Sequence, residues 1–123
     1  MSHKKIALDF ITQIIAGNIS EAYEKYTSSN FTHHNAYTKA GKENLAEAML
    51  KNEVEFPGKI LKVYHVIEEE NIVALHSHIK TNEGAAGIAV VHICRFEIEK
   101  IAELWDIGMM LPKEAINADG AFK

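Results

Sequence analysis

At 123 residues, with 47% hydrophobic and 24% charged side chains, the chain has the composition of one compact domain (residues 1–123) with a core of its own, which excludes a disordered or fibrous protein. The formal charge is −4 and the Lys and Arg residues are scattered among acids with no basic run, which excludes the electrostatic footprint of a nucleic-acid binder. The single cysteine, Cys94, has no CxxC partner, so it is expected to be a buried apolar thiol, as fits a cytoplasmic protein.

The first segment, MSHKKIALDFITQII, starts with basic residues, but Asp9 and Gln13 interrupt its apolar run well short of an export signal or membrane span. From Lys4 to Ala16 it carries Ile6, Phe10 and Ile14 with Ala7, Ile11 and Ile15 beside them, the stripe of an amphipathic helix that Gly17 ends. Asn18 with Glu21 three residues on predicts a capping box, opening a short second helix that buries Ala22, Tyr23 and Tyr26. Ser28-Ser29-Asn30 breaks the pattern, and an aromatic and β-branched stretch follows around Phe31 to Tyr37. Lys42 to Lys51 returns to helix formers with Leu45, Ala48 and Met49 on one face, a third helix.

Pro57-Gly58 marks a turn, after which Ile60–Ile67, Ile72–Ile79, Ala86–Phe96 and Ile101–Met110 are β-branched runs. The breaks at Glu69-Glu70-Asn71 and Ile98-Glu99-Lys100 have hairpin length, and Thr81 to Gly87 makes a longer loop, so the four strands should pair antiparallel as a meander. Helices first and strands after is the α+β arrangement, with the helices stacked on one face of a sheet. The tail from Pro112 to Lys123 has few apolar residues, Ala115 and Ile116 among them, and either packs loosely or covers a partner.

Strand alternation groups His76 and His78 with Ile72 and Ala74, His92 with Val90, Cys94 and Phe96, and Asp106 with Ala102, Leu104 and Gly108, leaving Glu103 and Trp105 on the opposite face. One consistent solution places His76, His78, His92 and Asp106 together on a concave face turned to the helices. The bland alternatives are an edge-exposed or structurally paired Asp106 and a satisfied pair at His76 and His78, because burying an unpaired charge costs several kcal/mol. His33 and His34 are adjacent, so in an extended segment only one of them points inward. His76-x-His78 followed by Glu83 is similar to the cupin metal-ligand spacing, which His33, His34 and His92 could supplement; but Glu70 stands where that motif has its first glycine, and no second motif follows. No phosphate loop, GxSxG elbow or Cys/His nucleophile pair is present.

The segments YTSSNFTHHN (Tyr26 to Asn35), LHSH (Leu75 to His78) and AVVHICRFEIEKIAELWDI (Ala89 to Ile107) resemble the SnoaL-like polyketide cyclase group of the nuclear transport factor 2-like superfamily, in the right order and across nearly the whole chain. The resemblance implies a cone of strongly curved antiparallel sheet, a half-barrel of cystatin-like type with three N-terminal helices closing its wide end. It also implies a homodimer formed through the outer sheet face and acid/base chemistry that needs no cofactor and no metal. By the same resemblance Asp106 is the general acid/base, His34 the pocket histidine, and His76 and His78 the strand histidines. His92 stands where many relatives have aspartate and Leu104 where they have histidine, so the pocket chemistry differs; Ile98-Glu99 replaces the usual aspartate-glycine hairpin.

The expected reaction is proton abstraction beside a carbonyl, an aldol-type cyclisation or isomerisation of a small apolar carbonyl compound. Asp106 would be the base, with His34 or His92 bonding the enolate oxygen, and His76, His78, His92, Tyr37 and Leu104 would contact substrate. An aspartate of ordinary pKa, about 3.9, is a weak base; removal from water strengthens it, as in ketosteroid isomerase. The alternative is a non-catalytic ligand-binding or subunit-interaction module of the same fold, and a third reading is metal binding through His76 and His78.

Overall fold

The structure, a computed structural model, describes residues 1–122. Helix α1 (His3–Ala16) starts at Ser2, whose Oγ accepts the Lys5 N–H at 3.2 Å, and ends at Gly17 with φ of 97°. A positive φ of this kind costs a glycine nothing and turns the chain sharply into the next helix. Helix α2 (Ile19–Tyr26) follows at once, and the capping box expected of Asn18 and Glu21 does not form. The Asn18 backbone N–H is already bonded to the Gln13 carbonyl, and its side-chain amide donates to Gln13 Oε1 at 2.8 Å. The close of α1 has therefore claimed the residue that would have capped α2.

Strand β1 (Thr27–His34) comes next, then α3 (Lys42–Glu55), β2 (Ile60–Glu69), β3 (Ile72–Lys80), β4 (Ile88–Glu97) and β5 (Lys100–Met110). The sheet order is β1-β5-β4-β3-β2. The last four strands form the expected antiparallel meander. β1 adds a strand that the sequence pattern does not reveal, pairing parallel to β5 and making the sheet mixed. Its Ser28-Ser29-Asn30 run reads locally as a turn, and a register shift between Thr27 and Thr32 absorbs that irregular stretch. Lys42, at the start of α3, donates from Nζ to Thr27 Oγ1 at 3.0 Å and to the Ser28 carbonyl at 2.8 Å, tying that helix over β1. α3 runs four residues beyond the expected Lys51, to Glu55.

The core lies between the concave sheet face and the helices. Ile6, Phe10, Ile11, Ile14 and Ile15 of α1 and Ile19 and Tyr23 of α2 pack there with Val73, Leu75, Phe96, Ile101 and Leu104 of the sheet. Phe10 and Tyr23 meet edge to face with ring centroids 5.3 Å apart, and Tyr23 does the same with Phe31 at 5.8 Å. Each large apolar side chain buried in this way stabilises the fold by about 1.5–3 kcal/mol. Cys94 is wholly buried, as expected, and burial pushes its thiol up to about 12. Among the described residues no helix is long and apolar enough to cross a membrane.

The β4–β5 hairpin closes over Ile98 and Glu99, and Ile98 has φ of 59°. A β-branched side chain meets backbone oxygen there, at a cost of about 1–2 kcal/mol. Its side chain is 90% exposed, so little packing offsets the strain. Ile98→Gly is expected to stabilise the protein by about 1 kcal/mol, the relieved strain outweighing the backbone entropy that glycine adds to the unfolded chain. The check is a rise in the denaturant midpoint with no change in slope.

Candidate functional site

Register decides which polar side chains meet. Leu75, His92 and Asp106 lie opposite one another across β3, β4 and β5, and the buried positions of β3 are Val73, Leu75 and Ser77. The concave face therefore takes the odd residues of β3, and His76 and His78 fall on the outer face. Alternation along β3 could not decide this, because apolar residues occupy both parities: Ile72 and Ala74 on one, Val73 and Leu75 on the other. On the outer face His76 and His65 meet Nδ1 to Nδ1 at 3.0 Å, while His78 Nε2 donates to the Ala86 carbonyl at 2.7 Å. Phe122, from the tail, stacks on His78 and on Tyr64. Among the described residues no three His, Cys, Asp or Glu side chains converge on a common point, and Glu83, the third member of the metal spacing, pairs with Lys80.

The same parity separates the adjacent histidines of β1. His33 pairs with Leu104 and is buried on the concave side; His34 pairs with Trp105 and points outward, stacked on that indole at 5.0 Å and bonded through Nε2 to Glu103 at 2.6 Å. The histidine assigned to the pocket by resemblance thus belongs to a surface network with Glu103 and Arg95, whose Nε donates to the same carboxylate at 2.9 Å. Tyr37 is fully exposed on the loop after β1 and does not line the cavity between the sheet and helices α1 and α3. Leu104 is wholly buried in the core beneath the site, not on the cavity wall.

His92 and Asp106 do come together. Both line a cavity of about 230 Å³ between the sheet and helices α1 and α3, and its walls are otherwise mostly apolar, with Ile11, Ile14, Leu45, Met49, Ile79 and Val90 among them. That volume falls below the ~300–1,000 Å³ usual for drug-sized ligands, so it suits a small molecule. His92 Nε2 stands 3.5 Å from Asp106 Oδ1, too long for a firm hydrogen bond. The other carboxylate oxygen, Oδ2, accepts the Asn35 Nδ2–H at 2.8 Å. Asn35 is a site residue that the sequence shows only as half of a histidine-asparagine pair. It reaches Asp106 because β1 runs parallel to β5, so the residue after His34 comes level with the one after Trp105.

A small network holds Asn35 in this pose. Its Oδ1 accepts the Tyr37 N–H at 2.9 Å, which leaves the amide nitrogen turned to Asp106. Its backbone N–H donates to His33 Nδ1 at 3.1 Å, so that nitrogen carries no proton and Nε2–H of the same ring donates to the Lys39 carbonyl at 2.8 Å. His33 thus braces the loop. Tyr23, behind the site, donates its hydroxyl to Met49 Sδ at 3.2 Å, and burial and then the Asp106 charge push its pKa up, so it stays protonated.

Burial holds the His92 imidazole below its ordinary pKa, and the Asp106 charge opposes that only in part. A neutral ring facing a carboxylate keeps its proton on Nε2, which leaves Nδ1 as a buried acceptor without a partner among the described residues. In the unfolded chain His92 takes up a proton near pH 6.5, whereas the folded site resists it. The stability contributed by the neutral ring is therefore present above that pH and is lost as pH falls through the lower folded value. Chemical denaturation of wild type and His92→Gln between pH 8 and pH 5 is expected to show the two curves converging towards acid, the wild type losing more stability.

No protein-family model matches this chain, and no curated protein matches it. Solved structures do. They include a nuclear transport factor 2-like protein of unknown function from Cytophaga hutchinsonii, 24% identical, covering 89% of this chain and 91% of that one with a TM-score of 0.70. AclR, a candidate hydroxylase from Streptomyces galilaeus, is 20% identical over 89% of this chain and 80% of its own, with a TM-score of 0.75. A candidate isomerase of the SnoaL-like family from Agrobacterium tumefaciens is 9% identical over 89% and 99%, with a TM-score of 0.71. At these identities the shared property is the fold: a cystatin-like, nuclear transport factor 2-like half-barrel whose neighbours include SnoaL-like proteins.

Proposed function

We propose that this protein enolises a small carbonyl compound, with Asp106 as the base and His92 as the neutral hydrogen-bond donor. The observation that carries the reading is a carboxylate on the wall of an apolar cavity, oriented through one oxygen by Asn35 and left with its other oxygen only loosely engaged by His92. Asp106 Oδ1 takes the proton from the carbon next to the carbonyl, and the C–H electron pair becomes the new C=C bond of the enolate. Charge then develops on the carbonyl oxygen, where the His92 Nε2–H has more to gain than at a carboxylate 3.5 Å away. Asp106 returns the proton to the same carbon, which is exchange, or to another carbon, which is isomerisation; attack of the enolate carbon on a second carbonyl would give the aldol-type closure. His34, Tyr37, His76, His78 and Leu104 have no part in this scheme because none lines the cavity.

The test is proton NMR of a panel of small cyclic and open-chain ketones in deuterated buffer near neutral pH. Protein-dependent loss of α-proton signal supports the reading. Ketones that bind in the cavity, perturbing the signals of residues such as Val90 and Met49, yet exchange no faster than in buffer would overturn it and leave a ligand-binding module.

A further inference from the structure

The cavity has a second polar pole that the proposed chemistry does not use. Lys59, in the turn before β2, lines it with a side chain only 7% exposed. Its Nζ donates to Glu53 Oε2 at 3.3 Å and to the Phe56 carbonyl at 3.2 Å, both at the long end of the range, and an ammonium group has three N–H donors. Asn52, the residue before Glu53, also reaches the cavity wall. Glu53 itself is confined, because its carboxylate lies where a Cβ on Gly17 would meet it at 3.0–3.2 Å. A buried ion pair of this kind gains little stability over a well-packed apolar pair, so stability alone does not explain a lysine here.

The two poles are set apart both across the strands and along them. Lys59 precedes β2 and Asp106 lies on β5, three strand intervals away in the order β5-β4-β3-β2, and the register carries Asp106 through His92 and Leu75 to Val66, well along β2 from Lys59; yet both line the one cavity. Between them the wall is apolar, with Ile79, Ile88, Val90 and Met49. The Asp106 carboxylate repels an anion from its own end, whereas Lys59 can accept one at the other. A ligand with one anionic end therefore has a single favoured orientation.

Building on the enolisation reading, we infer that Lys59 forms a carboxylate subsite and that the substrate class is small oxo-carboxylic acids, the carboxylate held by Lys59 and the enolisable carbonyl presented to Asp106. Glu53 occupies that lysine in the empty cavity and competes with the ligand. A carboxylate replacing it makes a charge-assisted hydrogen bond, stronger than the bond an amide of the same shape would make.

The experiment is calorimetric titration of the full chain with octanoate and with octanamide, probes that differ only in charge at one end and contain no enolisable ketone. Octanoate is expected to bind about tenfold more tightly. Lys59→Met should bring the two probes level, Glu53→Gln should tighten octanoate several-fold without affecting octanamide, and Asp106→Asn should keep the preference for octanoate. Equal affinity of the two probes for wild type, or a preference that survives in Lys59→Met, overturns the subsite; so does octanoate binding that Glu53→Gln leaves unchanged. The wild-type and Glu53→Gln results stand even if Lys59→Met does not fold. Ketone exchange without a carboxylate preference would refute the subsite and leave the enolisation reading intact, whereas the preference without exchange would do the reverse.

Discussion

Asp106→Asn is expected to lower α-proton exchange by about 10²–10⁴-fold, the usual contribution of a positioned general base, while leaving the fold intact. The substitution keeps the shape, and the new amide can present its oxygen to the Asn35 Nδ2–H that now donates to Oδ2 at 2.8 Å. The side chain is 18% exposed beside a buried histidine, so removing its charge also removes a desolvation cost, and the melting temperature should hold or rise. Asn35→Ala should act differently. It leaves the base in place but frees its orientation, and the expected loss of exchange is about tenfold. Retention of full exchange by Asp106→Asn would show that another group takes the proton.

Gly87→Ala is expected to cause the largest loss of stability, about 3–4 kcal/mol, or a fall in melting temperature on the order of 10 °C. Gly87 has φ of 77° and sits so close to β3 that a Cβ would lie 2.4 Å from the Ile79 carbonyl oxygen and 2.9 Å from His78 Nε2. A backbone oxygen cannot rotate away, so the β3–β4 connection must shift. That shift also pulls on the Leu111 N–H, which donates to the Gly87 carbonyl at 3.0 Å and anchors the chain beyond β5. Gly58→Ala is the control. It has nearly the same φ, 76°, but no atom within 4 Å of the added Cβ, so only the left-handed strain of about 1–2 kcal/mol applies. Equal melting temperatures for the two variants would mean that the close approach at Gly87 relaxes freely.

The elements built from local pattern were legible in the residues. α1 shows its helical stripe from Ile6 to Ile15, and the four meander strands lie within two residues of their expected bounds because β-branched runs and short polar breaks act locally. β1 was not legible, since Ser28-Ser29-Asn30 reads as a turn until β5, about seventy residues later in the chain, supplies its hydrogen-bond partner. The site divides in the same way. Alternation offers His92 and Asp106 a common face as one consistent solution, since β4 has apolar residues on both parities, and the pairing of His92 with Asp106 selects it.

The residues alone fix the α+β order and the antiparallel meander, because spacing and breaks along single segments control both. Tertiary pairing settles which way β3 turns and that β1 is a strand at all. β3 has apolar residues on both parities and exposes either face with no local penalty, so pairing with β4 selects Leu75 and Ser77 in and His76 and His78 out. In β1 the single apolar residue, Phe31, goes in on the parity of His33, and His34 points out once the segment pairs with β5. Asn35 and Lys59 join the site for a related reason, since both lie in segments without periodicity and reach the cavity only because a parallel edge strand and a helix end carry them there.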